Sequence, residues 1–169
     1  MDIGIIPVTA PVPAPIRKRL TVQAPLNRTF EVFTQRMGEW WPKDHSVLRA
    51  VRNIVQTDVR IEPRAGGRWY EVGENGEEYD WGEVRDWLAP DRIVLIWRLS
   101  NSFEYDPDLT TEVEVRFIPA GDDVTTVEFE HRGLEAFGPA AALTRETMDP
   151  GWGMILERFE SRAASGQVE

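Results

Sequence analysis

Between residues 54 and 132 the hydrophobic period is two, and short turns are all that interrupt it. Val55, Thr57, Val59 and Ile61 alternate with Gln56, Asp58 and Arg60, and Pro63 with Gly66-Gly67 turns the chain into residues 68–72. Asn75-Gly76 precedes the run 79–88, and that dipeptide suits a two-residue hairpin turn with positive φ at both residues. Ala89-Pro90-Asp91 leads into residues 93–99, whose near-continuous apolar character predicts a strand covered on both faces. Thr111, Val113, Val115 and Phe117 then alternate with Glu112, Glu114 and Arg116, and Gly121-Asp122-Asp123 returns the chain into Val127, Phe129 and His131. Consecutive strands joined by short turns pair antiparallel, with one face toward a core and the other wet.

A sheet of that kind needs an apolar cover, and the C-terminal segment supplies one. Trp152, Ile155, Leu156 and Phe159 fall at i, i+3, i+4 and i+7, with Glu157, Arg158 and Glu160 opposite them. Asp149-Pro150 reads as the N-cap and first residue of this helix, which should run to about Ala164. Upstream, residues 17–23 alternate as a strand, and Ala24-Pro25 opens a helical pattern through Leu26, Phe30 and Phe33. Gly38 breaks it, and Glu39-Trp40-Trp41-Pro42 forms a second short segment. Residues 1–15 carry four prolines and are expected as an extended arm before a single domain at 16–165. The expected class is α+β: a curved antiparallel sheet of about seven strands around a long C-terminal helix, with two short helices after the first strand.

The chain has 169 residues, no cysteine and a formal charge of −10. Disulfides and thiolate chemistry are thereby excluded, and a cytoplasmic setting is expected. The acidic balance argues against nucleic-acid and anionic-membrane partners, which are bound through Lys and Arg. The opening residues lack the pattern of a signal peptide, and no run is long enough to span a membrane.

Ala24-Pro25, Trp40-Trp41-Pro42, Gly66-Gly67-Arg68-Trp69, Trp81-Gly82-x-Val84, Trp97, Glu130-His131-Arg132-Gly133-Leu134 and Gly151-Trp152 followed by Leu156-x-Arg158-Phe159 occur in this order over residues 16–164. The set resembles bacterial members of the SRPBCC, or START-like, superfamily, in the branch labelled as homologous to the activator of heat-shock-protein ATPase. The resemblance implies the helix-grip fold, with a cavity between sheet and C-terminal helix. It leaves the chemistry open, because the superfamily hosts lipid and hormone binders, polyketide cyclases, oxygenase domains and co-chaperones.

The residues themselves narrow the chemistry. His45 and His131 have no His partner at metal-ligand spacing, Gly66-Gly67 and Gly151-Trp152-Gly153 lack the context of a nucleotide loop, and no Gly-x-Ser-x-Gly elbow exists. No cofactor or metal is expected. By alternation His131 continues the inward face of Val127 and Phe129, where an imidazole either bonds the backbone or serves a ligand as hydrogen-bond partner or base. Glu71 shares the face of Trp69 and is either a polar group of the cavity or part of a surface ion pair with Arg68, Arg85 or Arg98.

Seven Trp in 169 residues exceed what a core of this size requires. Adjacent residues on a helical segment point about 100° apart, so Trp40 and Trp41 can hardly be buried against one surface, and one should rim an opening. The expected ligand-binding set is therefore Trp40, Trp41, Trp69, Trp81, Trp97 and Trp152, joined by Phe129, Glu71 and His131. Three functions fit: binding of a small apolar or aromatic molecule, a cofactor-free cyclase, hydratase or isomerase that moves protons through His131 or Glu71, and a chaperone-interacting protein. A second copy of the chain over residues 93–99 is also open as a partner.

Overall fold

In the computed structural model, which describes residues 12–165, the chain enters through β1 (Ile16–Val22) and turns at Pro25 into α1 (Leu26–Gln35). Two short helices follow, α2 (Met37–Trp40) and α3 (Val47–Arg52), giving three helices after the first strand where two were expected. Residues 1–11 of the expected arm lie outside the described residues, and 12–15 carry no regular element.

The remaining strands are β2 (Gln56–Ile61), β3 (Arg68–Gly73), β4 (Glu78–Leu88), β5 (Arg92–Trp97), β6 (Thr111–Gly121) and β7 (Val124–Arg132). All neighbours pair antiparallel in the order β1-β7-β6-β5-β4-β3-β2, so the first strand closes the sheet beside the last. A 3-10 turn (Leu134–Ala140) then feeds α4 (Ala141–Ser165), which the curled sheet grips. This is the expected helix-grip architecture.

Three local readings are corrected. Helix α4 begins at Ala141 and passes through Pro150, because Asp149 bonds Lys18 and pairs with Arg145 at 3.5 Å instead of capping a helix. Arg145 also reaches back to the carbonyls of Ala14 and Pro15 at 2.6 and 3.2 Å, which fastens the first half of α4 to the entry of β1. Asn75-Gly76 lies in a loop between β3 and β4 where Gly76 (φ 87°) takes positive φ and Asn75 does not, closed by Gly76 N–H to Gly73 O at 2.9 Å. The register of β2 shifts between Gln56 and Asp58, so Gln56 turns inward and Val55 is left exposed, against the simple alternation.

On the concave side α1 and α4 meet over the sheet through edge-to-face aromatic contacts. Phe33 lies 5.1 Å from Phe159 and 5.8 Å from Phe117, and Phe30 lies 5.1 Å from Phe117. On the outer face, Glu114 accepts from Arg92 (2.5 Å), Arg116 (2.9 Å) and Arg132 (2.5 Å). Burial opposes its ionisation, but the bonds from Arg92, Arg132 and Arg116 outweigh this and hold its pKa down to about 2. Val94 lies buried in β5 beside this lattice, so the strand is covered on both faces within one chain.

Candidate functional site: an indole-walled cleft

Strands β3, β4 and β5 bring Trp69, Trp81 and Trp97 side by side, and Gly82 makes that spacing feasible. A Cβ at Gly82 would stand 1.7 Å from the Ile96 carbonyl, so only glycine lets β4 pair with β5 here. Trp41 from the α2–α3 connection and Trp152 from α4 complete the group. Successive ring centroids run Trp41–Trp81 4.8 Å, Trp81–Trp69 5.5 Å, Trp69–Trp97 5.7 Å, Trp97–Trp152 5.7 Å and Trp152–Trp41 5.8 Å, a closed circuit of five indoles.

Glu71 anchors the helical segment to this wall. It is fully buried and accepts from Ser46 Oγ (2.5 Å), Val47 N (2.6 Å), Leu48 N (3.3 Å), Gln56 Nε2 (3.0 Å) and Trp81 Nε1 (3.0 Å). Ser46 in turn caps α3 by accepting from Arg49 N at 3.0 Å. The surface ion pair with Arg68, Arg85 or Arg98 is not formed, because those guanidiniums pair with Asp80 and Glu78, with Glu112, and with Glu83. A carboxylate with five donors from a helix start, a bulged strand and an indole is a structural clasp.

His131 is likewise enclosed. Trp152 Nε1–H donates to its Nδ1 at 3.1 Å, so the ring proton sits on Nε2, which donates to Thr111 Oγ1 at 2.8 Å, and the Thr111 hydroxyl donates to Trp97 O at 3.1 Å. Both ring nitrogens are occupied. Burial pushes the pKa from 6.5 down to about 3. The unfolded imidazole takes up a proton below pH 6.5, while the folded one stays neutral to about pH 3. Stability is therefore intact above pH 6.5 and falls as pH drops through that window, by about 1.4 kcal/mol per pH unit. Urea unfolding at pH 7 and pH 5 should differ by about 2 kcal/mol from this group alone, and the difference should vanish in His131→Gln. Equal stabilities of the parent protein at the two pH values would refute a buried neutral imidazole.

A cleft of about 330 Å³ opens beside the indole circuit. Thr147, Met148, Gly151, Trp152 and Ile155 of α4 form one wall, and Trp41, Asp44, His45, Ser46 and Ala50 form the other. Trp97 is the sheet's contribution, and Phe103 from the β5–β6 connection also lines the space. Phe103 is 46% exposed and has φ 60°, a left-handed conformation uncommon for a bulky residue. A second cleft of about 190 Å³ shares Trp97, Phe103, Thr147 and Met148 and continues toward Phe137 and Leu143.

Three of the nine expected residues, Trp41, Trp97 and Trp152, thus line the cleft. Trp69, Trp81 and Phe129 stand behind them in ring contact, and Glu71 and His131 hold the wall through hydrogen bonds without lining it. Trp40 is turned away toward Phe33 and Phe159, with its Nε1–H bonded to Val32 O at 2.8 Å. Both Trp40 and Trp41 are buried, but on different surfaces, and it is Trp41 that borders the opening. Sequence reasoning missed Asp44, Ser46, Phe103, Met148 and Ile155 as lining residues and weighed His45 solely as a metal ligand. Among the described residues no group of three His, Asp or Glu side chains is placed to hold a metal ion.

A sequence profile for the family described as "Activator of Hsp90 ATPase homolog 1-like protein" matches residues 23–164. No curated protein matches. Among solved structures, the anthrahydroquino-γ-pyrone synthase Txn09 is 33% identical, with 89% of this chain and 97% of that one covered at a TM-score of 0.63. CalC from Micromonospora echinospora, a self-sacrificing resistance protein, is 31% identical, with 92% and 97% covered at a TM-score of 0.66. Protein MLL2253 from Mesorhizobium loti shares the fold at 18% identity, with 92% and 99% covered and a TM-score of 0.63. The chain accordingly belongs to the activator of Hsp90 ATPase homolog 1-like family, within the SRPBCC superfamily whose motifs it carries.

Proposed function

We propose that the protein binds a small planar aromatic molecule in the cleft between α4 and the Trp41–Ala50 segment. The observation that carries this reading is the wall itself: three indoles and Phe103 line a space of about 330 Å³, with Asp44, His45 and Ser46 together on one side and Thr147 on the other. Large, flat, rigid surfaces of this kind favour flat apolar ligands, because stacking adds to area burial at little entropic cost. The likeness to an anthrahydroquino-γ-pyrone synthase supports a fused-ring ligand. The second cleft, which shares Trp97, Phe103, Thr147 and Met148 with the first, offers room for a substituent on the ring system.

Titration with a panel of fused-ring quinones and fatty acids should shift tryptophan emission for the former class at micromolar concentrations. Trp41→Phe should reduce the shift and weaken binding about tenfold, corresponding to loss of one stacking surface. Emission unchanged by every compound at high micromolar concentration would overturn the reading. A chaperone partner, which the family's description carries for its relatives, would then move ahead. A second copy of the chain and a cytoplasmic setting belong to the same proposal. Among the described residues no helix is long and apolar enough to cross a membrane.

A further inference from the structure

Of the four residues that the two clefts share, Trp97 is held by β5, and Thr147 and Met148 by α4. Phe103 is the one placed by a connection, and that connection is tightly specified. Leu99 bridges to Tyr105, Ser100 N donates to Glu104 O at 2.8 Å, and Phe103 N donates to Ser100 O at 2.9 Å. Ser100 Oγ accepts from Ser102 N at 3.3 Å and from Glu104 N at 3.2 Å, and Tyr105 N donates to the Tyr79 hydroxyl at 2.8 Å. A hairpin turn closed in this way and followed by a left-handed residue usually takes glycine at the left-handed position. Here that position carries phenylalanine at φ 60°, where a Cβ crowds the following carbonyl oxygen. The fold gains little in return. Phe103 stands outside the hydrophobic core, and among the described residues no aromatic ring pairs with it. Backbone strain kept at the junction of two clefts, by a ring the core does not use, points to a ligand that does use it.

We propose that Phe103 is the specificity-determining residue of the site, selecting ligands that extend through both clefts. The fused rings lie beside Trp41, Trp97 and Trp152, and an unbranched alkyl substituent runs past Phe103 into the second cleft. An alkyl chain suits that space because Leu99, Phe137, Ala140, Leu143 and Met148 line it. The hydrogen-bonded turn supplies the rigidity that selection requires, since a ring on a fixed backbone discriminates without first having to be ordered.

This role rests on the binding reading above, and anthraquinone and 2-pentylanthraquinone separate the two. Each is titrated by tryptophan emission into the parent protein, Phe103→Tyr, Phe103→Ala and Phe103→Gly. The parent should bind the pentyl compound about tenfold more tightly than anthraquinone, and Phe103→Tyr should keep that preference. Phe103→Ala and Phe103→Gly should reduce it to about twofold or less. Thermal unfolding without ligand reads the backbone. In an ordinary conformation alanine stabilises more than glycine, whereas at φ 60° the order reverses, so Phe103→Gly should melt about 2–4 °C above Phe103→Ala. Equal affinity of the parent for the two quinones, a preference that survives in Phe103→Ala, or a Phe103→Ala protein that melts as high as Phe103→Gly overturns the role and leaves the binding reading standing. Emission unchanged by both quinones overturns the role together with the reading on which it rests.

Discussion

Chemical denaturation of Phe159→Ala is expected to show a loss of roughly 3–5 kcal/mol, a large share of the stability of an ordinary domain. Phe159 is fully buried and is the point where α4 meets both other apolar surfaces, with ring centroids 5.1 Å from Phe33 and 5.3 Å from Trp40. The neighbouring Arg158 donates to Trp40 O at 2.8 Å, so the contact surface has little freedom to collapse into the vacated space. A cavity that cannot close carries the full cost of lost contacts. A loss below about 1 kcal/mol would mean that α4 does not carry the core as drawn.

Glu71→Ala should be comparably severe, for a different reason. Removing the carboxylate strands the buried donors of Ser46, Val47, Gln56 and Trp81, and each unsatisfied buried donor costs on the order of 1–3 kcal/mol. A total of about 4 kcal/mol or more follows if the donors find no substitute. Glu71→Gln should lose less, because the Ser46 hydroxyl can rotate to accept from the new amide. Amide exchange at Val47 and Leu48 should rise in Glu71→Ala, since both N–H groups bond this carboxylate in the parent protein. A Glu71→Ala variant as stable as the parent would show that α3 is held to the sheet by something other than this clasp.

The parts of the fold that repeat were legible in the sequence. Thr111, Val113, Val115 and Phe117, like Val127, Phe129 and His131, reach the inner face as their alternation requires, and the stripe Trp152, Ile155, Leu156, Phe159 is buried in α4. Departures occurred where one residue had two competing partners. Asp149 is the natural cap before Pro150, yet a distant lysine on β1 takes it and the helix runs on. Gln56 looks solvent-facing until a register shift delivers it to Glu71.

The site was legible in its chemistry and not in its position. Period two places Trp69, Trp81 and Trp97 on one face but says nothing about which lies beneath the helices and which borders open space. That depends on where α3 sits, and α3 is placed by Glu71 across a gap of 25 residues in sequence. Asp44 and His45, which also line the cleft, lie in a connection without periodicity, so no pattern marked them.

The closed circuit of indoles has an optical consequence. Rings 4.8–5.8 Å apart at interplanar angles of 53–82° bring their transition dipoles into exciton coupling, so the five chromophores absorb as a coupled set. Excitation entering at Trp69, which has no face on the cleft, migrates to whichever ring has the lowest excited state. A molecule that quenches Trp41, Trp97 or Trp152 drains the whole set, and removing one ring rearranges the spectrum instead of subtracting a fifth of it.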